Sequence, residues 1–170
     1  LLAVFKLRGM ASDKRRSFRM RKLLLVGQAP SSTSDPKEPF SGPSGITIRR
    51  LMGVAEKDFF RDYDRINVLD FFTGKKGKGD AFSKSMVPKE RREFLMKFVN
   101  DRNVVFFGRE TARVFGIEPE FLVPDLFLVD KSCFRGIVAP HPSGINLFWN
   151  EPENRRSAKI ALRAFVELYS

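Results

Sequence analysis

The chain has 170 residues, 42% hydrophobic and 30% charged, which suits one globular domain with a full core and leaves little room for two. Thirty-one Lys and Arg against twenty Asp and Glu give a net charge of +11, a field suited to a polyanion such as nucleic acid. Cys133 is the one cysteine, so the chain can form neither an intramolecular disulfide nor a four-cysteine zinc or iron–sulfur site, and no apolar run approaches the ~20 residues that span a bilayer.

Residues 1–20 read as a basic N-terminal extension without a fixed fold, either an upstream extension or a truncated start. Leu1–Leu7 is too short for a signal peptide and lacks a small-residue cleavage pattern. The segment ASDKRRSFRMRK, residues 11 to 22, is a solvated tail or a phosphate-contacting arm. The domain proper is expected over residues 21–170, beginning with Leu23–Gly27, a short apolar run that reads as a strand buried on both faces. The loop QAPSSTSDPKEPFSGPSG follows, and then Ile48, Leu51, Met52 and Ala55 recur at helical spacing with Ser44 as the cap.

A second apolar run, Ile66–Phe72, carries Asn67 inside it and leads into the lysine-rich loop TGKKGKGD. Pro88 opens a helix with Phe94, Leu95, Phe98 and Val99 on its apolar face. Val104–Phe107 forms the third strand, and Arg109–Phe115 a short helix closed by Gly116. Leu126–Val129 reads as an extra edge strand, and Arg135–Pro140 as the fourth main strand, which delivers HPSGINLFWN. The last helix starts near Pro152 and is expected to bury Ile160, Ala161, Ala164, Phe165 and Leu168. Strands alternating with helices predict an α/β fold, a three-layer α/β/α domain with a central, mainly parallel four-stranded sheet. Ligands bind such sheets at the carboxyl ends of their strands, where Gln28, the lysine loop and His141 fall.

Three segments in this order resemble the uracil-DNA glycosylase superfamily. Gly27-Gln28-Ala29-Pro30, running on to Pro39-Phe40-Ser41-Gly42-Pro43-Ser44-Gly45, is similar to the family's first motif. Asn67 in an apolar strand matches the second element, and His141-Pro142-Ser143-Gly144-Ile145-Asn146 resembles the H-P-S motif. The stretch VVFFGRETARVFG also resembles the family's strand–Gly–helix segment, so the match runs over roughly residues 21 to 168. Ala29 stands where the best-known branch has a water-activating Asp, and the single cysteine excludes the iron–sulfur branch. The chain is identified as a cluster-free, divergent member.

The resemblance implies a monofunctional DNA glycosylase that hydrolyses the N-glycosidic bond of uracil or a 5-substituted uracil in DNA and leaves an abasic site, with no cofactor and no metal. The chemistry fits the residues. Bond cleavage leaves negative charge on the departing base, so a preorganised donor aimed at it is the useful group. By resemblance His141, the only histidine, hydrogen-bonds O2 of that base, and Gln28 contacts it. An amide buried in a two-faced strand needs a partner, which for Asn67 is the neighbouring backbone or N3–H and O4 of uracil. Phe40 stacks on the flipped base or packs in the core. Ser31 is small where one branch uses Tyr to exclude the thymine methyl, which predicts tolerance of 5-substituted uracils. Asp35, or Glu38, is the candidate for positioning water.

Ile145 matches the apolar wedge that fills the gap left by the base; Leu147, Phe148 and Trp149 in the same loop are further wedge candidates or, for Trp149 above all, a buried anchor. Ser143, Lys75, Lys76 and Lys78 are the candidate phosphate contacts. The expected partner is DNA carrying uracil or a modified uracil, the expected state a monomer without membrane association, and the expected location a reducing compartment, cytoplasmic or otherwise intracellular with DNA. Two rival readings are an inert DNA-binding member of the same fold and a hydrolase of free nucleosides or nucleotides, which would need neither the charge nor the wedge.

Overall fold

The computed structural model describes residues 22–170 apart from Thr33, Lys78, Pro119, Gly144 and Ile145. The basic extension at residues 1–20 therefore lies outside the described residues, as do Lys78 and Ile145 among the site candidates.

The strands are β1 (Leu24–Gly27), β2 (Asp64–Asn67), β3 (Lys75–Lys76), β4 (Gly79–Asp80), β5 (Asn103–Phe107), β6 (Asp125–Val129) and β7 (Ser132–Ala139). The α-helices among the described residues are α1 (Pro43–Met52), α2 (Glu56–Asp62), α3 (Lys89–Val99), α4 (Arg109–Val114) and α5 (Pro152–Tyr169). A five-stranded sheet runs in the order β2-β1-β5-β7-β6. Its first four strands are parallel, and β6 closes the edge antiparallel to β7. The four main strands and the extra edge strand of the sequence reading are thus one sheet, and β3 with β4 makes a separate small hairpin.

The period of two along the strands divides the core. Leu24, Val26, Val104, Phe106 and Val138 face α3 and α4, represented by Leu95, Val99, Ala112 and Val114. Leu25, Val105, Phe107, Ile137 and Ala139 face α1, α2 and α5 through Ile48, Met52, Phe59, Leu162 and Phe165. Helices on both faces of a mainly parallel sheet give the three layers anticipated from the alternating pattern.

Four local expectations are corrected. The cap of α1 is Gly42 with Pro43 in the first turn, not Ser44, and Gly53 at φ 73° ends the helix before Ala55, so that α2 begins separately. Asn67 is the last residue of β2 rather than an interior one; the chain turns after it, and Val68 and Leu69 donate backbone bonds to Gly27 and Gln28 at 2.9 Å each. In α3, Leu95, Met96 and Val99 are buried, whereas Phe94 is 48% exposed. In α5 the buried stripe is Ala158, Leu162, Phe165 and Val166, leaving Ile160 and Leu168 exposed on the other face. No described helix is long and apolar enough to cross a membrane.

Candidate active site at the strand ends

The carboxyl ends of β1, β2, β5 and β7 bring Gly27, Asn67, Phe107 and the segment after Ala139 to one edge of the sheet. A cavity of about 450 Å³ opens there, within the size range of small-molecule sites. Gln28, Ser31, Asp35, Glu38, Phe40 and Asn67 line it, together with Lys75, Asp80, His141 and Ser143. Residues that the sequence scatters over more than a hundred positions therefore share one wall.

Gly27 makes the close packing possible. A Cβ on it would lie 2.5 Å from Asn67 Oδ1 and 2.8 Å from Phe40 Cζ, so only glycine lets the amide and the ring close over the end of β1. Phe40 itself has φ 67°, a left-handed backbone that is costly for a bulky residue and is held only by its surroundings. Part of that hold is Gly45, where any Cβ would sit 1.7 Å from the Phe40 carbonyl oxygen. The Phe40 ring meets Phe107 edge-on at a centroid distance of 5.5 Å, which leaves it half-buried at the cavity wall rather than lost in the core.

Asn67 is buried, at 6% exposure, yet its amide has no hydrogen-bond partner among the described residues and lines the cavity. The backbone alternative for its amide is therefore not realised. Its main chain is fixed by Arg91 of α3, whose guanidinium donates to the Asn67 and Val68 carbonyls at 2.8 and 2.9 Å. Sequence reasoning missed Arg91, because a single arginine on an amphipathic helix carries no sign of the carbonyls it will reach.

His141 is fixed through its own carbonyl. Trp149 Nε1 donates to that oxygen at 2.8 Å and Asn146 Nδ2 at 2.9 Å, so Trp149 is an anchor of the histidine rather than a wedge. The Ser143 backbone N–H donates to His141 Nδ1 at 3.3 Å. Burial pushes the imidazole below its ordinary pKa of 6.5, while the negative charge of Asp80 pulls weakly the other way. A neutral imidazole whose Nδ1 accepts carries its proton on Nε2, so the ring is a donor through its other nitrogen. Gly108, at φ 106°, keeps this corner small: a Cβ there would approach Gln28 Nε2 to 3.1 Å and His141 Cβ to 3.4 Å.

Residues 19–165 match the family model described as the uracil DNA glycosylase superfamily. The chain belongs to this superfamily. No curated protein matches it. The first-motif loop, Asn67 and the H-P-S segment all line one cavity.

Other candidates fall into place less uniformly. Ser31 Oγ lies 2.6 Å from Ser34 Oγ, a pair that keeps the cavity wall narrow in bulk and polar in character. Asp35 and Glu38 both line the cavity and are exposed; Asp35 Oδ1 accepts from the Lys37 backbone N–H at 2.8 Å. Lys75 is largely exposed and pairs its ammonium with Asp80 Oδ1 at 2.7 Å. Lys76, next to it, is exposed, and Ser143 reaches the cavity wall. Asp80 was not singled out from the sequence; its one signal was that it ends the lysine loop facing Lys75 across a Gly-containing turn. Among the described residues no group of three or more His, Cys, Asp or Glu side chains could hold a metal ion.

Proposed function

We propose that the protein is a monofunctional DNA glycosylase that hydrolyses the N-glycosidic bond of uracil, or of a 5-substituted uracil, in DNA and leaves an abasic site. The observation that carries this reading is the Asn67 amide, buried, unpartnered among the described residues, and facing a cavity it shares with an aromatic ring and a histidine donor. The amide opens onto the cavity with its donor and acceptor both available, so a ligand with the complementary pattern is the natural partner. Uracil offers it: Oδ1 accepts from N3–H and Nδ2 donates to O4.

The remaining roles in this reading rest on the resemblance together with the lining of the cavity. Phe40 stacks on the extruded base, and Gln28 contacts it from the end of β1. As the C1′–N1 bond lengthens, charge collects on the base, and His141 Nε2–H donates to O2. The imidazole keeps its Nε2–H donor while neutral, because Nδ1 accepts from the Ser143 backbone N–H. Ser31, paired with Ser34, leaves room beside the base for a substituent on C5. Asp35 and Glu38 from the first-motif loop and Asp80 from the hairpin are the carboxylates on the cavity wall available to attacking water. Ser143 and Lys76 contact phosphate, with Lys75 and Lys78 adding positive charge to the same loop, and Ile145 fills the gap in the duplex. The domain spans residues 21–170 behind a basic extension, acts as a monomer inside the cell where its DNA lies, and needs no cofactor.

Excision from end-labelled oligonucleotides tests the proposal. Uracil, 5-hydroxymethyluracil, hypoxanthine, thymine opposite guanine and an undamaged control are each presented single- and double-stranded, with alkali cleavage reporting abasic sites. The expected result is cleavage at uracil-type bases that His141→Ala abolishes. Binding without cleavage of any substrate would refute it in favour of an inert DNA-binding member. Cleavage of free nucleosides that neither salt nor Ile145→Ala affects would point instead to a nucleoside hydrolase.

A further inference from the structure

Ala29 stands where the best-known branch of the family carries a water-activating Asp, so a carboxylate serving the attacking water here would come from elsewhere on the cavity wall. Three acidic side chains line it, and they are not equivalent. Asp35 is turned onto its own loop by the bond from Lys37 N–H. The charge of Glu38 is felt by Arg65, on β2. Asp80 arrives on a different element, the β3–β4 hairpin, whose strands pair Lys75 opposite Asp80 and Lys76 opposite Gly79.

That hairpin is a mount for a carboxylate. The Ala81 N–H donates to the Gly74 carbonyl at 2.9 Å just beyond the Lys75–Asp80 pair, and Lys75 Nζ holds Asp80 Oδ1 at 2.7 Å. Asp80 Oδ2 has no partner among the described residues, and the side chain is about a third exposed. It lines the cavity with His141, and it is the carboxylate whose field reaches the imidazole.

We propose that Asp80, held by Lys75 on the hairpin that follows β2, is the catalytic carboxylate that accepts a proton from the attacking water. The inference rests on the glycosylase reading above. In the step, the water oxygen bonds to C1′ while the C1′–N1 electron pair leaves with the base. One water proton passes to Asp80 Oδ2, and the hydroxyl stays on the sugar. His141 holds the uracil anion at O2 until it takes a proton from solvent; Asp80 returns its own proton to solvent. A negative carboxylate near the sugar also favours the positive charge that builds on C1′ before attack.

Single-turnover excision of uracil is measured for wild type, Asp80→Asn, Asp80→Glu, Asp35→Asn and Glu38→Gln. Binding of each to an oligonucleotide carrying non-hydrolysable 2′-fluoro-2′-deoxyuridine is measured in parallel. Positioned proton transfer is worth about 10²–10⁴-fold, so Asp80→Asn is expected to lose at least ~100-fold in rate. Its binding should stay within about threefold of wild type, Asp80→Glu should recover part of the rate, and each first-motif variant should lose at least ~10-fold less. Asp80→Asn at near wild-type rate would overturn the proposal and leave the glycosylase reading standing. Equal losses of rate and binding would overturn it too, marking Asp80 as structural. An inactive wild type would remove the glycosylase reading, and this inference with it.

Discussion

Gly27→Ala isolates the proposed base-binding wall from the rest of the fold. The backbone at residue 27 lies outside the left-handed region, so alanine is conformationally allowed there, and the whole effect comes from its methyl group. That methyl would meet Asn67 Oδ1 at 2.5 Å, and reaching an ordinary 3.4 Å contact requires about 0.9 Å of travel. Phe40 Cζ, at 2.8 Å, must retreat as well. Neither has an easy exit: Arg91 pins the carbonyl of Asn67, and the backbone of Phe40 is boxed against Gly45. Overpacking of this kind costs about 1–3 kcal/mol, which for a domain of this size lowers Tm by roughly 2–12 °C and leaves it folded. A misplacement near 1 Å at reacting groups costs about 100-fold in rate. The expected outcome is therefore a folded protein by thermal melt with uracil excision down about 100-fold or more in single turnover. Full excision by a Gly27→Ala protein with an unchanged melt would mean that neither Asn67 nor Phe40 touches the base.

Asn67→Ala should abolish selective uracil excision while changing stability by no more than about 1–2 kcal/mol in denaturant titration, because the amide has no protein partner to lose. A larger loss of stability would make the amide structural. His141 binds its proton less readily when folded, so below its ordinary pKa of 6.5 the unfolded chain takes up more protons and stability falls as pH drops. Wild type should thus lose up to about 1.4 kcal/mol per pH unit relative to His141→Gln below pH 6.5, and the two should run parallel above it. Binding to undamaged duplex should weaken steeply with salt, and Lys76→Ala should reduce the slope of log K against log salt by about 1. An unchanged slope would place Lys76 away from phosphate.

The sheet and the site were legible in the sequence to different depths. Runs such as Leu23–Gly27 and Val104–Phe107 announce strands buried on both faces, because a parallel sheet covered by helices has no polar face to alternate with. The motif residues Gln28, Asn67 and His141 sit at strand ends, with Phe40 on the loop that follows β1, and topology then makes them neighbours. The helices were harder. In α5 two apolar stripes overlap, one through Ala158, Leu162 and Phe165 and one through Ile160, Ala164 and Leu168, and periodicity alone does not choose between them. The sequence Glu56–Asp62 was not read as a helix because its two phenylalanines, among four charged residues and one more Asp, make too short a stripe. Long-range polar contacts were not legible at all: nothing in the string tells Arg91 to reach past β2 to the carbonyls of Asn67 and Val68.

The bonds that hold His141 also give the molecule an optical reporter. Trp149 is the only tryptophan in the chain, and its indole N–H is bonded to the His141 carbonyl with Phe148 packed edge-on at 5.0 Å. Its emission therefore comes wholly from the loop that carries the histidine. A ligand that shifts the loop carrying His141 changes the surroundings of that indole and moves its spectrum. Binding at the cavity can be followed in the unlabelled protein, at a single known position, before any bond is broken.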